Sequence, residues 1–79
     1  MKLAEAMERI TAMEALFDEL QKTAGANPAG VAELTRYFES GDWLRDYELD
    51  EQGLLPRDLK RGVLSQDALF DFLEEIGAK

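Results

Sequence analysis

The chain has 79 residues, 46% of them hydrophobic and 33% charged, with 17 acids against 9 bases and a formal net charge of −8. It contains no cysteine and no histidine, which excludes disulfides and thiolate metal sites and removes both the commonest metal ligand and the one side chain that titrates unaided near neutrality. The acidic balance argues against direct binding of nucleic acid or anionic membrane, because both would repel it.

This length allows one domain, residues 1–79, with a single small core: about 60% of the surface exposed by the unfolded chain is buried on folding. The start MKLAEAMERI has acids within its apolar pattern and lacks the continuous apolar stretch of a signal peptide. No segment approaches the ~20 apolar residues needed to cross a bilayer, so the cytoplasm is the expected location.

Leu3, Ala6, Ile10, Met13, Phe17, Leu20 and Ala24 alternate spacings of three and four, which predicts a long helix over 3–24, its seam widened by Met7 and Leu16. Glu5 with Arg9 and Asp18 with Lys22 form i, i+4 pairs of favourable polarity on its outer face. Gly25 is placed to stop this helix, Asn27 to cap the next and Pro28 to occupy its first position. The second helix is expected to reach about Ser40, with Val31, Leu34 and Phe38 inward, Tyr37 at the edge of that face and Gly41 as the stop. So short a connection makes the two helices antiparallel neighbours.

The stretch from Glu39 to Ser65 is the densest in unusual residues. Asp42 is expected to cap a short helical turn carrying Trp43, Leu44 and Tyr47, and 50–53 reads as a turn with Gly53 at positive φ. Leu54 and Leu55, followed by Pro56, are expected to pack beneath Trp43. A last helix follows: Ser65 as N-cap, Asp67 in the first turn, Leu64 and Leu69 as a hydrophobic staple, Leu69, Phe72, Leu73 and Ile76 buried, and Gly77 as the end. The fold class is therefore all-α: a small helical bundle with a long N-terminal helix, an antiparallel second helix, an ordered loop with a helical turn and a C-terminal helix. The first helix is roughly 33 Å long and the second and last roughly 18 and 16 Å, so its regular seam and small core favour a homodimer through that helix.

The acids Asp46, Glu48, Asp50 and Glu51 invite comparison with an EF-hand loop. Begun at Asp46, the run places Glu51 where Gly is needed and Arg57 where the bidentate Glu belongs; begun at Glu48, it places Leu59 at the last position. Neither register holds calcium, and a solvated acidic face paired with bases is the better reading. The bases are Arg57, Lys60 and Arg61. They fit either a salt-bridge network that pins the loop to the acidic turn or a phosphate contact, and the net charge favours the first. Without histidine the serines and threonines have no activating base, no Gly-rich phosphate loop is present, and a chain this small has little room for a cleft that would raise a carboxyl pKa. No enzyme and no cofactor are expected.

The segment YFESGDWLRDYELDEQGLLPRDLKRGVLSQDALFDFLEEI resembles the signature half of a bacterial family of domains of unknown function, DUF4298, and ERITAMEALFDEL resembles that family's opening helix. The resemblance is carried by Tyr37, Ser40-Gly41, Trp43-Leu44, Asp46, Asp50-Glu51, Gly53, Leu55-Pro56, the run from Asp58 to Ser65, and Asp67. It implies a small helical bacterial protein and no assigned activity, cofactor or partner. The expected function is a non-enzymatic interaction module that offers Trp43, Asp46, Tyr47, Asp50, Arg57, Lys60 and Arg61 to an unknown protein partner. Trp43 has a second reading, as a core residue. The alternative function is an acidic regulator that imitates nucleic acid and occupies a nucleic-acid-binding protein.

Overall fold

The three-and-four spacing becomes α1, Leu3–Lys22, in the computed structural model, which describes residues 3–77. Ala6, Ile10, Phe17 and Leu20 are buried along its inner face, and Met7, Met13 and Leu16 flank them half-buried. The seam stops short of Ala24, which was expected to extend it but is exposed and left-handed at φ 54. The Gly25 N–H donates to the Leu20 carbonyl at 2.9 Å, the wide bond of a Schellman turn, and this register puts the left-handed position on Ala24.

α2 spans Pro28–Glu39 and starts as its sequence demands: the Asn27 side chain accepts from the Gly30 N–H at 3.2 Å, and Pro28 supplies the preset φ of the first turn. Gly30, Leu34 and Tyr37 form its buried strip. Tyr37 and Phe38 therefore exchange their expected places, Tyr37 lying inside and Phe38 half-buried at the edge. A Cβ on Gly30 would stand 3.1 Å from Leu16 Cδ1, so α2 approaches α1 closely there. Tyr37, two turns on, meets the level of Arg9 through Asp46, which makes the pair antiparallel.

The expected helical turn is a full helix, α3, Asp42–Glu51. Its cap is Gly41 at φ 97 and not Asp42, because α2 leaves through a left-handed residue that also starts α3, and a residue without Cβ takes that conformation freely. Glu48, Asp50 and Glu51 are consequently helical. The turn begins one residue later, where Gly53 at φ 71 closes a Schellman motif through the Leu54 N–H to Leu49 carbonyl bond of 3.1 Å. Leu55 is buried, whereas Leu54, expected inside with it, is 50% exposed.

A 3₁₀ turn, Gly62–Leu64, absent from the sequence expectation, buries Val63 and Leu64 and packs against α1, α3 and α4. α4, Gln66–Glu75, is capped by Ser65, whose Oγ accepts from the Ala68 N–H at 3.4 Å; Leu64 and Leu69 are both buried on either side of that cap. Leu69 and Leu73 enter the core, and Phe72 meets Phe17 of α1 edge to face at 5.4 Å. One hydrophobic cluster thus draws on all four α-helices and the 3₁₀ turn, with no strand among the described residues.

The described chain measures 33 × 20 × 19 Å. α1 is roughly 30 Å long, close to the whole long axis. α2 lies on one part of it, and the 3₁₀ turn with Phe72 of α4 lies on another. Of the seam residues, Ala6, Ile10, Phe17 and Leu20 are no more than 3% exposed within one copy of the chain, while Leu3 at its start is 41% exposed.

Candidate functional site

Asp46 lies on the inner side of α3 and is wholly buried. A carboxylate withdrawn from water is unfavourable unless its oxygens are satisfied, and here three donors converge. Arg9 of α1 grips it with two nitrogens, Nε to Oδ2 at 3.0 Å and an amino nitrogen to Oδ1 at 2.5 Å, while the Tyr37 hydroxyl of α2 donates to Oδ2 at 2.7 Å. The arrangement joins three helices at one point. Removing one member of such a pair strands a buried charge and typically costs about 3–5 kcal/mol, comparable with the whole stability of so small a chain. By contrast, the exposed Arg45–Asp42 contact at 3.8 Å belongs to a class worth at most about 1 kcal/mol. Arg9 was expected to pair with Glu5 on the outer face; it turns inward instead, and its pKa is raised chiefly by the hydrogen bonds to Asp46.

Trp43 is 5% exposed and therefore is a core residue and not a surface anchor. Its indole N–H donates to the Val63 carbonyl at 2.9 Å, its ring meets Phe38 edge to face at 5.1 Å, and Tyr47 stacks on it at 5.1 Å with an 18° interplanar angle. Glu14 of α1 completes the tie at Val63 by accepting from its N–H at 2.7 Å. Both backbone polar groups of Val63 are thus satisfied by side chains that are distant in sequence, one from α1 and one from α3. This explains why the 3₁₀ turn sits tightly on α1: a Cβ at Gly62 would stand 3.1 Å from a Glu14 carboxylate oxygen.

Arg61 fastens the other end of the loop. Its guanidinium donates to Asp50 of α3 and to the Pro56 carbonyl, and its Nε donates to the Leu59 carbonyl at 3.2 Å. Of the three bases read as a group, this one pins the loop to the acidic helix. Arg57 and Lys60 do not join it and are exposed. Lys60 borders a shallow cleft with Thr11, Glu14, Asp18 and Asp58. Tyr47 is half-buried, and its hydroxyl bonds Glu51, which raises its pKa.

The seven predicted site residues therefore divide. Trp43, Asp46, Asp50 and Arg61 hold the segment in place, Tyr47 lines its edge, and Arg57 and Lys60 face solvent. Asp46 as a surface residue is corrected by its burial: the carboxylate is the internal counter-charge of Arg9. Sequence reasoning missed Arg9, Glu14 and the hydroxyl of Tyr37 as members of this framework. Their only signal was an acid or base beside an apolar seam, which a solvated outer face shares. It also missed a groove of 740 Å³ between α2 and the end of α4, bordered by Pro28, Val31, Thr35, Arg36 and Ile76. Among the described residues no three acids converge as metal ligands.

A family model described as a domain of unknown function, DUF4298, matches residues 1–77. Neither the curated proteins nor the solved structures give a match.

Proposed function

The chain belongs to the DUF4298 family, and from that premise we propose that it is a non-enzymatic interaction module that presents its 39–65 segment to a protein partner. One observation carries this reading. The segment is fastened to the body by Asp46, Trp43, Val63 and Arg61, yet it leaves two large apolar side chains in water, Leu44 at 52% and Leu54 at 50% exposure. Leu44, Glu48 and Glu51 share the outward strip of α3, and Leu54, Arg57 and Lys60 continue outward on the loop. A surface whose backbone is already ordered loses little conformational entropy on binding, so apolar contacts made there convert more fully into affinity.

The non-enzymatic reading is supported by the use made of Asp46, the buried charged residue of the described chain. Its oxygens are taken by Arg9 and Tyr37, which leaves no desolvated carboxyl open to a substrate. Among the described residues no helix is long and apolar enough to cross a membrane. The alternative, imitation of nucleic acid, calls for a single acidic track. Exposed carboxylates stand on all four α-helices, including Glu8, Glu33, Glu48 and Asp71, which supports it less.

The test is site-specific photocrosslinking in native cells, with the probe at position 44, at position 54, or at the exposed Ala29 of α2. Adducts of one defined mass from 44 and 54 and none from 29 are expected. Adducts shared equally by all three positions, or none from any, would discard the reading.

A further inference from the structure

Residues 54–60 are held by little. They run irregularly from the end of α3 towards the 3₁₀ turn, and of their side chains only that of Leu55 is buried; Pro56 and Leu59 are half-buried, while Leu54, Arg57, Asp58 and Lys60 are exposed. Their backbone bonds are local. The Leu54 N–H donates to the Leu49 carbonyl at 3.1 Å and the Leu59 N–H to the Pro56 carbonyl at 3.2 Å. Among the described residues, the remaining hydrogen bonds to this stretch come from one side chain: the Pro56 and Leu59 carbonyls both accept from Arg61.

Both ends of the stretch are fixed. α3 closes before it through the left-handed Gly53, and beyond it Val63 and Leu64 are buried, with Val63 tied to Glu14 and Trp43. Arg61 bridges the interval, because the guanidinium that meets the two loop carbonyls also donates to Asp50 of α3. A planar fork of five donors can serve three acceptors that converge from a helix and a loop, whereas a lysine carries its three donors on a single nitrogen and does not span them. A segment with one buried side chain and only local backbone bonds opens at a lower free energy than the core to which it is joined.

We infer that residues 54–60 form a strap that opens as a unit while the helices stay folded, and that Arg61 is the latch that keeps it shut. Shut, the strap fixes Leu54 and Arg57 at the end of α3; open, it releases them and brings Leu55 into water. The latch thereby regulates the 39–65 surface, a consequence that rests on the reading of that surface as a partner site, whereas the latch itself stands on the hydrogen bonds alone.

The test is hydrogen exchange of the full chain, read residue by residue by NMR. In the parent the Leu59 amide should be protected yet respond little to low urea, since opening the strap exposes little surface, while the amides of the buried Phe17 and Leu73 should respond steeply. The Arg61 Nε–H, bonded to the Leu59 carbonyl, should exchange about tenfold more slowly than that of the exposed Arg57. Ile10→Val, which weakens only the core, should speed Phe17 and Leu73 by about fivefold and leave Leu59 within about twofold. Arg61→Lys, which keeps the charge and loses the fork, should speed Leu59 by about tenfold. An unprotected Leu59 amide, or one that follows Phe17 and Leu73 in urea and in Ile10→Val, would mean that no separate strap exists. A Leu59 rate unmoved by Arg61→Lys, or an Arg61→Lys chain that does not fold, would mean that Arg61 is not its latch; any of these results overturns the proposal. In the crosslinking assay Arg61→Lys should lower the yield from position 54 by about tenfold, and an unchanged yield would overturn the regulatory consequence. Exchange is read on the free chain, so failure of the latch and absence of a partner give separate results.

Discussion

Tyr37 stays neutral in the folded chain because burial, first, and then the hydrogen bond it donates to Asp46 both oppose loss of its proton. Its pKa is held well above the ordinary phenol value, and the sign of the consequence follows. Below about pH 10 the phenol is protonated in both folded and unfolded chains, so its stabilisation is fully present. Above that, the unfolded chain releases the proton and the folded chain keeps it, so unfolding gains about 1.4 kcal/mol per pH unit from this group. Urea denaturation between pH 8 and 11 should show this alkaline loss. Tyr37→Phe should lower stability by about 1.5–3 kcal/mol near neutrality, where the charge-assisted hydrogen bond is lost, but should flatten the alkaline limb. Tyr47, bonded to Glu51, contributes in the same direction, so the limb is reduced and not abolished. Parallel limbs in the two proteins would contradict the argument. None of this was visible in the sequence, where Tyr37 read as an edge residue: the acid that claims its hydroxyl stands nine positions away on another helix.

At the level of elements, the helix ends were the most legible features. Asn27-Pro28, Ser65 and Gly53 act through bonds to neighbours in the chain, and the structure uses each as its type demands. The end of α1 was read only in part: Gly25 is left-handed at φ 76 as a stop should be, but Ala24 before it is left-handed as well, at φ 54. An L-residue there costs about 1–2 kcal/mol, while glycine adds about 0.4–1 kcal/mol of unfolded-state freedom. Ala24→Gly should accordingly stabilise the protein by about 0.5–1 kcal/mol and raise its melting temperature by about 2–8 °C, as followed by circular dichroism. An unchanged or lower melting temperature would refute that account of the turn. The extension of α3 was hidden for a related reason. Its residues, Asp42 to Glu51, include the good helix formers Leu44, Arg45, Glu48 and Leu49 but no sustained apolar seam, and Trp43 and Asp46 enter the interior from the same side.

Across the whole molecule, a long helix needs its apolar face covered, and here α2, the 3₁₀ turn and α4 cover it within one chain. Copies also carry a net charge of −8 each and repel one another. Light scattering after size exclusion should therefore return a monomer at every concentration tested, at low and high salt alike. A dimer that ignored salt would mean an apolar interface away from the α1 seam, with Leu44 and Leu54 the first residues to substitute. A dimer formed only at high salt would mean that charge alone had kept the copies apart.

The sequence by itself determined the class of the fold, the order of its helices, most of their caps and the membership of the chain in its family, because periodicity, capping and turn chemistry act between residues a few positions apart. Tertiary structure decided which polar residues are structural. Arg9, Tyr37 and Asp46 become one buried knot, and Glu14, Trp43 and Val63 another, only when helices distant in the chain are brought together. A carboxylate or guanidinium on a helix looks the same in the sequence whether water or a buried counter-charge will solvate it. That choice is made by the packing, which removes the water and so forces each buried donor and acceptor to find a partner.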